Sequence, residues 1–95
     1  MSIQIVVQFD IHPDKSVAAL EAFRLLAKET SAEPGATRFE AFTVNEHPHR
    51  VVLVEEWVDQ AAIDEHMTHA HTDQFRAATA DAFQSPPIVN RLALL

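Results

Sequence analysis

The sequence predicts an α+β fold, a ferredoxin-like βαββαβ sandwich whose second helix is split in two, with residues 1–95 as a single domain. Three observations carry the expectation. The N-terminal residues alternate in polarity with a period of two, and two later stretches repeat apolar residues at helical spacing. Two strand-like runs are also joined by a short polar loop.

In the first strand, Ile3, Ile5, Val7 and Phe9 alternate with Gln4, Val6, Gln8 and Asp10, so one face lies in a core. His12-Pro13-Asp14 starts a helix: the fixed φ of Pro13 suits a first turn, and the dipole favours an acid there. Its apolar stripe reads Val17, Leu20, Phe23 and Ala27, with Leu26 beside it. Glu33-Pro34-Gly35, holding the only glycine, is the stop. A second strand is expected over 36–44 and a third over 50–58, with the five residues Asn45-Glu46-His47-Pro48-His49 as the hairpin loop. Asp59 is suited to cap a helix running through His69, and a further helix over 72–83 places Phe75, Ala78, Thr79 and Ala82 on one side. Ser85-Pro86-Pro87 breaks it, and 88–95 forms the last strand.

The third strand is apolar on both parities, with Val51, Leu53 and Trp57 on one and Val52, Val54 and Val58 on the other. Helices cover one face of a four-stranded sheet, so the second face calls for another cover, and a homodimer is expected.

Composition excludes several classes of function. No apolar run reaches the eighteen or so residues of a membrane span, and the N-terminus has no basic leader, so a cytoplasmic protein with no membrane partner is expected. Fourteen acids against seven bases, a net charge of −7, oppose nucleic acid as a partner. The absence of cysteine removes disulfides, thiolate nucleophiles and sulfur-bound zinc. With no tyrosine, any phenol chemistry belongs to the substrate. One glycine cannot build a phosphate loop or a dinucleotide fingerprint, and no serine lies in a Gly-x-Ser-x-Gly context.

The chemistry-bearing residues lie between Val51 and Phe75. Glu55 and Glu56 point to opposite faces of the third strand, so they are not a paired-carboxylate site. Glu55 shares its parity with Leu53 and Trp57, where desolvation would raise its pKa towards that of a general base; pairing with Arg38 or Arg50 across the hairpin is the structural alternative. His66 belongs to the set Ile63, His66, Met67 and Ala70, the buried stripe of its helix. His71 stands at the joint before the next helix, where its ring can orient a substrate oxygen or satisfy an open helix end. Six histidines raise the question of a metal, but His66 and His69 diverge on a helix, His47 and His49 flank a proline, and no His-Glu-x-x-His occurs. No metal ligand and no cofactor are therefore assigned, and no histidine is marked as a heme ligand.

The chain resembles the antibiotic biosynthesis monooxygenase family. The similarity runs through a strand, a Pro-led helix, Glu33-Pro34-Gly35 ahead of Arg38-Phe39, a strand ending Glu55-x-Trp57, and His66-x4-His71 before Phe75. The resemblance implies dimerisation through the sheets into an α+β barrel, a pocket between sheet and helices, and oxidation of quinols or phenols by oxygen without metal or flavin. Relatives also include an isomerase of a small phosphorylated dione and heme-degrading proteins. The chain departs from the polyketide-oxidising branch at Leu53 and Ile63, where that branch has asparagine and tyrosine. It departs from the heme-degrading branch at Gln4 and Gln8, where an asparagine is expected, and His69-Ala70-His71 stands where many relatives read Thr-Pro-His.

The leading expectation is a cofactor-independent monooxygenase or oxidoreductase of a small quinol or phenol. Glu55 and His66 would handle protons, and Trp57, Met67, His71 and Phe75 would bind substrate. The alternatives are a proton-shuttling isomerase of a small (phospho)dicarbonyl and a non-catalytic dimeric ligand-binding module.

Overall fold

The computed structural model describes residues 2–95. Its elements are β1 (Ile3–Asp10), α1 (Ser16–Thr30), β2 (Ala36–Val44), β3 (His47–Trp57), α2 (Gln60–His66), α3 (Ala70–Ala78) and β4 (Ile88–Leu92), with a 3₁₀ turn at Pro13–Lys15 leading into α1. The strands form one antiparallel sheet in the order β2-β3-β1-β4, the topology expected of the split βαβ arrangement.

Register assigns each side chain to a face. Ile5 lies opposite Glu55 on β3 and Arg91 on β4, while Glu55 lies opposite Phe39 on β2, so these four form one row across the helix side of the sheet. Val7 and Leu53 form the next row, and Phe9 and Val51 the one beyond. Phe23 of α1 meets Phe9 at 4.9 Å and Phe75 of α3 at 4.8 Å, both edge-on, so one aromatic cluster ties sheet, α1 and α3 together.

Several boundaries differ from expectation for local reasons. The buried face of α1 is Ser16, Ala19, Phe23, Leu26 and Thr30, whereas Val17 of the expected stripe is 86% exposed. The hairpin loop contracts from five residues to the turn Asn45-Glu46, with Glu46 at a φ of 70°, because β3 already begins at His47. The split of the second helix is present but earlier. α2 ends at His66, whose carbonyl accepts a 2.7 Å hydrogen bond from Thr72 Oγ1, and α3 starts at Ala70. Because the helix stops there, Met67 and Ala70 fall off the buried stripe and are exposed. α3 ends at Ala78 and β4 at Leu92, both short of the expected limits.

Gly35 sets where α2 lies. A Cβ at this position would stand 2.3 Å from the Cβ of Ala62, so the turn Glu33-Pro34-Gly35 is seated directly against α2. The Gly35 carbonyl also accepts from Val58 N at 3.0 Å, fixing the turn to the end of β3.

Candidate active site

Between the sheet and α2–α3 lies a largely apolar cavity of ≈ 540 Å³. Phe39, Leu53, Ile63 and Phe75 supply apolar wall, and the polar groups reaching it include Glu55, His66, Arg76 and Arg91. A few polar groups in an apolar concavity is the usual composition of a small-molecule site.

Glu55 is presented by the central strand β3. Its Oε1 accepts a 2.9 Å hydrogen bond from the indole Nε1 of Trp57, two residues on along the same face. Burial raises the Glu55 pKa above the ordinary carboxylate value, and the indole hydrogen bond works in the opposite direction. The arginines expected as structural partners are engaged elsewhere, Arg38 with Glu40 and Arg50 with Asp10 at 2.7 Å. Trp57 is fully buried and does not line the cavity. It stands behind the wall, holding Glu55 and packing its ring 4.9 Å from that of His66.

His66 is the last residue of α2 and is buried. Its Nδ1 lies 2.7 Å from Glu33 Oε2, so Nδ1 carries the proton and donates it to the carboxylate. Nε2 makes no hydrogen bond among the described residues, and His66 contributes to the cavity wall. Burial pushes the His66 pKa below the ordinary imidazole value. Glu33 opposes that shift, and the neighbouring imidazoles of His71 and His69 reinforce it. The result favours a neutral ring with a free lone pair on Nε2.

Glu33 is the residue that sequence reasoning missed. It was read as part of a turn, yet it is buried and gathers three imidazoles. Besides His66, His71 Nε2 donates to Oε2 at 2.8 Å, and His69 Nε2 lies 3.3 Å from Oε1. The rings of His69 and His71 are stacked, 5.0 Å apart and 14° from parallel. Glu33 Oε2, His66 Nδ1 and His71 Nε2 lie within 4.8 Å of one another, a spacing that suits metal ligands.

The expected site residues do not share one surface, and the expected substrate contact Trp57 lines neither cavity nor cleft. Glu55, His66, Met67 and Phe75 line the cavity, with Met67 at its exposed rim. His71 does not; it lines a second, acidic cleft of ≈ 540 Å³ on the other side of the Glu33 cluster, together with Glu29, Asp59, Glu65 and His69. No periodic signal could have revealed Glu33, but a carboxylate immediately before a Pro-Gly turn that abuts a histidine-rich helix end is a pattern worth testing for burial.

The model of the family described as Antibiotic biosynthesis monooxygenase matches residues 2–78. No functionally curated protein matches by sequence. Among solved structures, Rv0793 from Mycobacterium tuberculosis superposes with a TM-score of 0.91 at 24% identity, covering 100% of this chain and 96% of that one. A Nitrosomonas europaea protein provisionally named an antibiotic biosynthesis monooxygenase gives 0.92 at 26% identity, over 99% and 90% of the two chains. PA3566 from Pseudomonas aeruginosa gives 0.92 at 20% identity, over 99% and 94%.

Proposed function

The chain belongs to the antibiotic biosynthesis monooxygenase family, and from that premise we propose that it oxidises a small quinol or phenol with molecular oxygen, without a cofactor. One observation carries the reading: buried His66 lines an apolar cavity with its Nδ1 held 2.7 Å from Glu33 and its Nε2 free of hydrogen bonds among the described residues, while burial lowers its pKa. An imidazole so oriented is a general base for a phenolic hydroxyl.

The chemistry balances with oxygen as the only oxidant. Nε2 takes the phenol proton, and the phenolate, poorly solvated among apolar side chains, passes an electron to oxygen. Recombination of the ring radical with superoxide forms a C–O bond and, after protonation, a ring hydroperoxide. Loss of the ring C–H proton and cleavage of the O–O bond then expel water and leave a quinone carbonyl. One oxygen atom enters the product and the other leaves as water. Glu55, whose carboxyl burial inclines towards the protonated form, is placed to return a proton to the departing oxygen. Phe75 and Met67 would pack the ring of the substrate, while Trp57 and His71 act from behind by holding Glu55 and Glu33.

Arg76 and Arg91 favour a second reading. Both line the cavity, and a guanidinium there suits a substrate bearing phosphate or carboxylate. With such a substrate His66 and Glu55 would shuttle protons through an enediol of a small phosphorylated dicarbonyl, consuming no oxygen.

We also place a second copy of the chain on the open face of the sheet. Val6 and Val54 lie opposite one another there, half-buried, beside Phe42 and Ile88, which are 45% and 55% exposed. The test of function is oxygen uptake by metal-stripped protein with a panel of quinols and phenols, next to His66→Gln. Uptake lost in the variant supports the monooxygenase. Turnover of a dicarbonyl without uptake supports the isomerase, and tight binding of ring compounds without turnover supports a ligand-binding module.

A further inference from the structure

We propose that Glu33, His66, His69 and His71 form a site for one divalent ion of the borderline transition series, such as zinc, cobalt or nickel, and that its occupation disables His66 as a base. Two imidazoles aim at one carboxylate oxygen, His66 Nδ1 at 2.7 Å and His71 Nε2 at 2.8 Å, so their donor directions converge. A third, His69 Nε2, lies 3.3 Å from the other oxygen, outside the group of ligand atoms within 4.8 Å of one another, and swings in to complete the set. Nitrogen-rich donors with one carboxylate select borderline metals over magnesium and calcium, which require oxygen ligands.

The spacing is that of shared protons, and an ion replaces them. A tetrahedral ion with bonds of about 2.0–2.1 Å holds its donors about 3.3 Å apart, so Glu33 withdraws by about 0.5 Å while the His66 and His71 nitrogens, within 4.8 Å of one another, close on the ion. There is room for that movement, because Glu33, His69 and His71 form a wall of the acidic cleft. Glu29, Asp59 and Glu65 around the same cleft concentrate cations at its mouth, and the cleft is the entry path. His69 is the ligand on the open side, partly exposed and already stacked on His71.

Coordination changes the tautomer of His66. An ion on Nδ1 uses that atom's lone pair, so a neutral ring carries its proton on Nε2, the atom with no hydrogen bond to a described residue. The proton that faced Glu33 moves to the opposite nitrogen or leaves through the cleft. Metal occupancy and a basic Nε2 therefore exclude one another. The metal site goes beyond the oxidoreductase reading, and only its effect on turnover rests on that reading.

The chain's single tryptophan reports on the site, because Trp57 is fully buried with its ring 4.9 Å from His66. Chelator-stripped protein without an affinity tag is titrated with Co²⁺, following Trp57 emission and the visible cobalt bands. One equivalent should quench most of the emission, and His69→Ala, at a partly exposed position, should weaken binding about tenfold or more. The double change His47→Ala with His49→Ala, in the β2–β3 hairpin, should leave the titration unaltered. With Zn²⁺ bound, the ¹⁵N resonance of His66 Nε2 should move from the unprotonated to the protonated range. No quenching at about millimolar Co²⁺, or binding undiminished by His69→Ala combined with His71→Ala, overturns the site. An unmoved Nε2 resonance in the zinc-loaded protein overturns the switch. Neither readout needs turnover, so a failure of the oxidoreductase reading is detected separately, by oxygen uptake of the metal-free protein.

Discussion

Gly35→Ala tests how the site is held together. The added Cβ would stand 2.3 Å from Ala62 Cβ, so the turn and α2 must separate by at least 0.7 Å to reach the 3.0 Å lower limit of real contacts, and by 1.1 Å to reach the 3.4 Å of an ordinary one. The facing atom is a methyl group fixed to a helix backbone and cannot rotate away. Overpacking of this kind costs about 1–3 kcal/mol, and for a domain of this size each kcal/mol lowers Tm by roughly 4–8 °C. Thermal unfolding followed by circular dichroism should therefore show a fall of roughly 4 °C at the least. Ala62→Gly supplies the control. Alone it costs about 1 kcal/mol of helix propensity; combined with Gly35→Ala it removes the colliding methyl. The pair should be more stable than the sum of the single effects, with a coupling of about 0.5–3 kcal/mol. Because Gly35 follows Glu33 by two residues and Ala62 precedes His66 by four, the same separation should lengthen the Glu33–His66 hydrogen bond and lower turnover. An unchanged Tm for Gly35→Ala, or strictly additive effects in the double variant, would refute the close approach of turn and helix.

Three further expectations follow from the same geometry. Burial raises the Glu55 pKa, so the fold favours its neutral form: that stabilisation is complete below the unfolded value and is lost as pH rises through the folded one. Glu55→Gln, which keeps an acceptor for Trp57, should thus gain in denaturant midpoint over the parent at about pH 8 and converge with it towards about pH 4; a gain that grows on acidification would reverse the assigned sign. Phe75→Ala removes a ring from the Phe9–Phe23 cluster and enlarges the cavity, for a loss of about 2–3 kcal/mol, below the full-burial value because Phe75 is only partly buried; urea unfolding measures it, and a loss under 1 kcal/mol would place Phe75 outside the core. On the open sheet face, Val54→Lys sets a charge beside Val6 and should convert a dimer to monomer in light scattering, whereas an unchanged mass would leave that face without its proposed cover.

What was legible in the sequence follows the range of each signal. The parity of β3 is local, so Glu55 and Trp57 were placed on one face, and their hydrogen bond is a direct consequence of i, i+2 spacing. The helix split was also legible, but its position was not: at the end of α2 the His66 carbonyl is taken by Thr72 Oγ1 and by His69 N, and these bonds are invisible to a periodicity count. Met67 leaves the buried stripe for the same reason and stands instead at the exposed rim of the cavity. Glu33 was the hardest case. Its meaning arises from residues 33 to 38 positions away, and only tertiary placement turns a turn residue into the partner of three imidazoles.

These misses share a physical origin that bears on the chemistry. A buried carboxylate is costly unless it is paired, so Glu33 persists in the fold only because the broken helix delivers imidazoles to it. The break that defeated the periodicity count is thus the device that builds the site. It ends α2 at His66, frees the 67–69 segment to carry His69 round, and starts α3 with His71 facing back. A continuous helix through 59–83 would keep the apolar stripe intact, yet His66 and His71, five residues apart, would diverge by about 140° and could not meet one carboxylate oxygen. Thr72→Ala, which leaves the His66 carbonyl only the 3.3 Å bond from His69 N, should therefore loosen the Glu33 cluster before it loosens the aromatic core. Histidine ¹⁵N resonances should shift at denaturant concentrations where Phe75 and Phe23 remain packed, and simultaneous loss of both would show that the cluster is no separate unit.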